Sequence, residues 1–237
     1  MNSAPATSTD TGWLLGLLQA SDSLYPTGSY AHSFGLEGMI DAGAVRDRAT
    51  LRAFLLNSVL PSLRNVDLPI STHAWKAFGA RDWAAVCEVC FLASALRAPR
   101  ELRSAAEAIG RQRAELLANV HEAELAREFL RRADEGRWPH CTAVSAGLEA
   151  RVHGAPLAAV LAAVCYAAVA GVIAAATKLL RLGQNAAQGL LTEMVSLCPA
   201  MVGPACELPL DEIGWFNPWL DAASARHETA NARLFIS

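Results

Sequence analysis

Residues 157–176 read Leu-Ala-Ala-Val-Leu-Ala-Ala-Val-Cys-Tyr-Ala-Ala-Val-Ala-Gly-Val-Ile-Ala-Ala-Ala, without a single charge. As a helix this run is about long enough to span a bilayer, so its reading decides between an integral membrane protein and a helical bundle in water. Alanine contributes little transfer energy, no aromatic belt flanks the run, and no basic cluster sets an orientation. A helix apolar on all sides is also what the centre of an all-helical bundle requires. We therefore expect an all-α, single-domain helical bundle with this long helix buried at its centre, its small residues allowing close helix crossings.

The rest of the chain agrees with that class. At 237 residues it can bury a large core without disulfide or metal staples. Lys plus Arg at 20 against Asp plus Glu at 23 gives a net charge of −3, which argues against a nucleic-acid binder that works by neutralising phosphates. Cys87, Cys90, Cys141, Cys165, Cys198 and Cys206 are scattered through apolar runs, and no secretory leader is evident, so they read as reduced thiols of a cytoplasmic protein. Cys87 and Cys90 form a C-x-x-C, but no second ligand pair follows and no strand precedes it; both read as core thiols.

Working outward, residues 1–12 are rich in Ser, Thr, Ala and Pro and read as a disordered lead-in to a domain spanning 13–216. Trp13–Leu18 reads as a short helix. Leu51, Phe54, Leu55, Val59 and Leu60 repeat at helical spacing, with Pro61 closing the pattern and Pro69 opening the next helix. Asp82 is placed to cap a helix from Trp83 to Leu96. From Pro99 to Gly136, interleaved Arg and Glu predict a solvated helical hairpin with Gly136 as the left-handed residue at its end. Lys178 and Arg181 complement a helix dipole, and Gly183 ends or kinks the helix before it resumes towards Leu197. Residues 217–237 lack a sustained apolar stripe and read as a loose, flexible C-terminal tail.

Ser21–Glu37 carries the residues of most chemical interest. Pro26 and Gly28 mark a turn, Ser29 reads as the N-cap of a helix from Tyr30 to about Ile40, and His32 then falls in its first turn. Gly35 and Gly38 share one side of that helix and suggest a surface where another backbone comes close. His32, Ser33 and Glu37 could be taken for a hydrolytic set, but no strand-turn-helix elbow exposes a nucleophile. They read as a hydrogen-bonded cluster supporting an interface. His32, His73, His121, His140, His153 and His227 are dispersed, with no pair at metal-ligand spacing, so no metal site and no stably bound cofactor is expected.

Three stretches together resemble the UreF family of urease accessory proteins. They are Pro26-x-Gly28-x-Tyr30-x-His32-Ser33-x-Gly35-Leu36-Glu37; Leu182-Gly183-Gln184 with Gln188; and Arg226-His227-Glu228 followed by Arg233-Leu234-Phe235 and terminal Ser237. Pro139-His140, Gly147, Gly154, Pro156 and Tyr166 add to the likeness. Gly171 stands where the family has Asn, Lys178 where it has Arg, and Ala186-Ala187 where it has an Asp-Gly type pair. Lys178 keeps the charge without the planar fork.

The resemblance implies an all-α protein that is not an enzyme and that works in nickel insertion into urease, the metal being handled by the complex. It implies binding to UreD (also called UreH), recruitment or regulation of the GTPase UreG, docking on apo-urease, and a homodimer. The UreD side falls to Arg226, His227, Glu228, Arg233, Leu234 and Phe235, and the UreG side to Lys178, Arg181, Gln184 and Gln188. Pro26, Gly28, Tyr30, His32, Ser33, Gly35 and Glu37 form the signature turn. Two rival readings are a membrane-associated helical protein built on Leu157–Ala176, and a small-molecule enzyme using His32 and Glu37.

Overall fold

The computed structural model describes residues 11–22, 24–230 and 233–236, and every regular element among them is helical. In chain order these are α1 (Gly12–Ser21), α2 (Leu36–Asp41), α3 (Arg48–Phe54), α4 (Leu60–Ser62), α5 (Leu68–Ala80), α6 (Trp83–Ala95), α7 (Arg100–Asn119), α8 (Glu124–Gly136), α9 (Thr142–His153), α10 (Leu157–Leu179), α11 (Gln184–Leu197), α12 (Pro199–Glu207) and α13 (Pro218–His227). The lead-in expected over 1–12 falls almost wholly outside the described residues, as does Ser237. At its end Thr11 and Gly12 already belong to the start of α1.

Local chemistry accounts for many boundaries. Asp47 opens α3 with a capping box, its carboxylate accepting from the Thr50 amide at 2.8 Å. Asp82 caps α6 as expected, accepting from the Ala85 amide at 3.1 Å, and Asn217 does the same for α13 through the Leu220 amide. Pro61, however, closes no helix, and Pro69 opens no separate one. From Arg48 to Ala80 the chain stays helical through two wide π-turns, Leu55–Val59 and Leu63–Asp67. Wider turns absorb the missing proline N–H and ring clash. The Asn65 side-chain amide then donates to the Pro61 carbonyl at 2.9 Å, and the Ser71 hydroxyl to the Asp67 carbonyl at 2.8 Å.

The expected hairpin is formed by α7 and α8, which carry ion pairs along and between them, including Arg111–Asp134 and Arg131–Glu135. Gly136 is its last helical residue rather than the left-handed one; Arg137 takes that conformation at φ 53°. A side chain at Gly136 would collide with the Trp138 indole, so glycine is there for space.

Two large cores form. One is built by α5 to α9 around Ile70, Phe78, Phe129 and Leu148, and the other by α2, α3 and α10 to α12 around Leu36, Phe54, Ile173 and Met194. The helix enclosed along most of its length is α9, where Ala143–Ala150 are all buried. Its backbone is pressed between neighbours: a Cβ on Gly147 would lie 2.6 Å from the Ser71 carbonyl oxygen, and one on Gly110 of α7 2.5 Å from the Cys141 carbonyl carbon. Ser71 and Ser145 bridge these contacts: the Ser71 hydroxyl shares its one proton between the Asp67 and Ala143 carbonyls, each at 2.8 Å, and Ser145 donates to the Gly110 carbonyl at 2.7 Å.

The charge-free helix α10 is buried along one side, through Val160, Leu161, Cys165, Val169, Val172 and Ile173. Its other side leaves Ala158, Ala162, Tyr166 and Ala167 exposed. Alanine costs little in water, so a charge-free sequence does not require burial all round. By length and composition, Leu157–Leu179 and Gln184–Glu207 are each able to cross a membrane.

The segment from 217 differs from the expectation of a loose tail. Pro218–His227 is helical and packs on α2, and Phe235 is only 6% exposed within the second core. The apolar positions that do this, Leu220, Ala223 and Phe235, are too few and too widely spaced to form a stripe.

Candidate functional site

The turn before α2 is built from left-handed residues. Gly28 has φ 79°, a single 3₁₀ turn covers Ser29–Ala31, His32 is extended, and Phe34 and Gly35 have φ 55° and 86°. The helix expected from Tyr30 with Ser29 as cap therefore begins only at Leu36, and His32 lies outside it. Ser33 takes the capping role, its hydroxyl accepting from the Glu37 amide at 3.1 Å. Gly35 and Gly38 do mark a close contact, and its occupant is α13. A Cβ on Gly35 would lie 2.7 Å from Leu220 Cδ1, and one on Gly38 2.7 Å from the Ala223 carbonyl oxygen.

That contact brings Glu37, 6% exposed, against the end of the chain. Glu37 Oε1 accepts from the Leu234 amide at 2.8 Å, and Oε2 from the Phe235 amide at 2.9 Å. Oε2 also lies 3.0 Å from His227 Nε2, while His227 Nδ1 lies 3.0 Å from Glu101 Oε2 on α7. Arg233 closes the chain of contacts by donating to Glu101 Oε1 at 2.7 Å. Beside it the Ile236 amide donates to the Ala31 carbonyl at 2.9 Å, and Arg100 pairs with Glu228. Lys178, at the end of α10, places its ammonium 4.0 Å from the Tyr30 ring centroid and 5.4 Å from that of Phe235.

Residues from the signature turn, the end of the long helix and the chain terminus thus meet at one place. Of those anticipated, Tyr30, Ser33, Gly35, Glu37, Lys178, His227, Arg233, Leu234 and Phe235 are in it, with Glu228 alongside. Pro26, Arg181, Gln184, Gln188 and Arg226 are exposed around it or on the next helix. Glu101 is the member that sequence reasoning passes over. It looks like one more acid of the Arg/Glu alternation, and nothing in its spacing separates it from Glu107 or Glu115.

A cavity of about 730 Å³ runs under the turn, with Tyr25, His32, Arg113, Glu149, Gly171 and Lys178 on its wall. Burial lowers the pKa of His32, against the opposing influence of Glu101. Burial and the nearby Glu149 push the Tyr25 hydroxyl up to about 12. Glu37 is not on this wall, and both its oxygens already accept backbone amides. The cavity therefore does not join His32 to Glu37 as an acid–base pair would require. Among the described residues no group of three or more His, Cys, Asp or Glu side chains could hold a metal ion.

The family model for UreF matches residues 45–195. The chain belongs to the UreF family. It is 31% identical over 223 residues to the urease accessory protein UreF of Arthrobacter sp. (strain FB24), covering 94% of this chain and 96% of that protein. It is 30% identical over 227 residues to the urease accessory protein UreF of Azorhizobium caulinodans, covering 90% of each. The likeness to these UreF proteins extends well beyond the family-model match, which stops short of the signature turn at one end and of α13 at the other.

Proposed function

We propose that this chain is a non-catalytic, cytoplasmic adaptor in the maturation of urease. In this reading it binds UreD (UreH) and recruits or regulates the GTPase UreG while the assembly delivers nickel to apo-urease. The observation that carries the reading is the convergence of three distant stretches on one composite surface, whose buried polar groups are spent on holding the chain terminus rather than on facing a substrate. Nickel is cargo of the complex in this proposal, and no residue of this chain is assigned to hold it.

The partner-facing residues follow from exposure. His227, Glu228 and Phe235 are engaged within the chain, so they present the terminus, while Arg226, Leu234 (62% exposed) and Ile236 (59%) face outward. With Tyr30 and Lys178 they make an apolar patch with a cationic edge, a composition suited to a protein partner. Arg181, Gln184 and Gln188 offer a separate polar surface at the start of α11, which we assign to the UreG side. The exposed small residues of α10 allow close approach of a second copy, supporting a homodimer.

Co-expression with UreD and UreG tests the proposal: the complex should co-purify, and Leu234→Ser, which adds no charge beside Glu37 and keeps the backbone amide that Glu37 accepts, should weaken UreD capture about tenfold. Capture unaffected both by that change and by deletion of 226–237 would overturn the assignment of this surface.

A further inference from the structure

The His227 ring is buried, its side chain about 2% exposed, and sits between two carboxylates, each 3.0 Å from a different ring nitrogen. A neutral imidazole carries one N–H and can donate to only one of them; the other nitrogen would then turn a lone pair towards a carboxylate. An imidazolium donates to both. The charged groups facing the ring from each packed element are Glu37 of α2, Glu101 of α7 and, through Glu101, Arg233 of the terminal segment; His32 of the turn is a further titratable group on which Glu101 acts. The Arg100–Glu228 pair lies alongside. Protonation thus completes an alternation Glu37–His227–Glu101–Arg233 in which each charge meets its opposite. The same carboxylates hold the backbone of Leu234 and Phe235 and the side chain of Arg233.

We propose that these groups form a proton-operated clasp: His227 as the imidazolium holds the terminal segment on α2 and α7, and loss of its second proton releases that segment. Deprotonation sets a lone pair against a carboxylate in a site with little water to screen it, and the repulsion falls on the two acids that anchor residues 233–235. The sign is fixed by the chemistry. The bound proton belongs to the docked state, so docking is favoured at lower pH and weakens as pH rises. The clasp is intramolecular and stands whether or not the partner assignment above is correct.

The test uses the full chain without partners. Backbone hydrogen exchange of residues 226–236, corrected for intrinsic rates, is measured from about pH 5 to about pH 9. The ¹⁵N shifts of the His227 ring are followed in parallel. Protection should fall by up to about tenfold per pH unit wherever the released ring has lost the proton that the docked ring keeps. Glu101→Gln supplies Nδ1 with an amide donor in place of a second acceptor, so it should flatten this dependence; His227→Gln should remove it. If His227→Gln does not fold, Glu101→Gln carries the comparison. Protection that is constant with pH in the wild-type chain, a neutral ring while the segment stays protected, or the same dependence in Glu101→Gln would overturn the clasp.

Discussion

Two glycines in helices of the same chain illustrate how a residue's effect depends on what it faces. Gly38 lies against the Ala223 carbonyl, and adding a methyl group would push two backbones apart. Gly189, in the interior of α11, meets nothing within 4 Å. Gly38→Ala should therefore destabilise the fold by about 1–3 kcal/mol through overpacking, while Gly189→Ala should stabilise it by roughly 0.5–1 kcal/mol through helix propensity. Urea titrations of the two variants check the opposite signs. Glu37 is the residue with most to lose. Glu37→Ala removes the acceptor of two amides and one face of the His227 contact, and should cost about 3 kcal/mol, with the terminal segment losing protection from exchange before the rest of the chain unfolds. The turn, the acid and the close glycines were legible at this scale because each follows from the chemistry of one residue. Glu101 was not, because an acid in an alternating helix looks the same whether its neighbour is water or His227.

Among the elements, α9 is the most tightly held. Its alanines, Gly147 and the two serine bridges let it sit between α5 and α7 at backbone contact. Gly147→Ala should be more damaging than Tyr166→Ala on the exposed side of α10, by about 2 kcal/mol or more, as read from thermal denaturation. Neighbouring elements show where pattern reading stops. Helical period located α3, α6, α7, α8 and α10 closely, and Asp82 marked its helix start. Pro61 reads as closing one helical pattern and Pro69 as opening the next, yet the stretch Arg48–Ala80 continues through both, because π-turns absorb the missing N–H and the Gly214 amide donates to the Asn65 carbonyl that Pro69 leaves free. Conversely, Phe34 and Gly35 in left-handed conformation delay a helix that propensity would start at Tyr30.

For the whole molecule, acid sensitivity follows from its buried histidines. Burial lowers the pKa of His32, His140 and His153 below the ordinary imidazole value. The unfolded chain therefore takes up protons first as pH falls. Their contribution to stability is full above about pH 6.5 and is lost progressively below it. Urea unfolding midpoints should accordingly drop between about pH 7 and about pH 5, while the proton-held docking of the terminal segment should not weaken over the same range. Measuring both on one sample separates global unfolding from local release.

The sequence by itself determined the all-α class, the positions of most long helices, and membership of the UreF family, because periodicity, capping and short motifs are properties of neighbouring residues. Only the tertiary structure decided that the terminal segment is docked, that α9 rather than α10 is the most enclosed helix, and that Glu37, Glu101 and His227 form one cluster. Each of these depends on which distant surfaces come together. A few well-placed contacts such as Gly38 on Ala223 and Glu37 on Phe235 suffice to hold a segment whose own composition predicts no order.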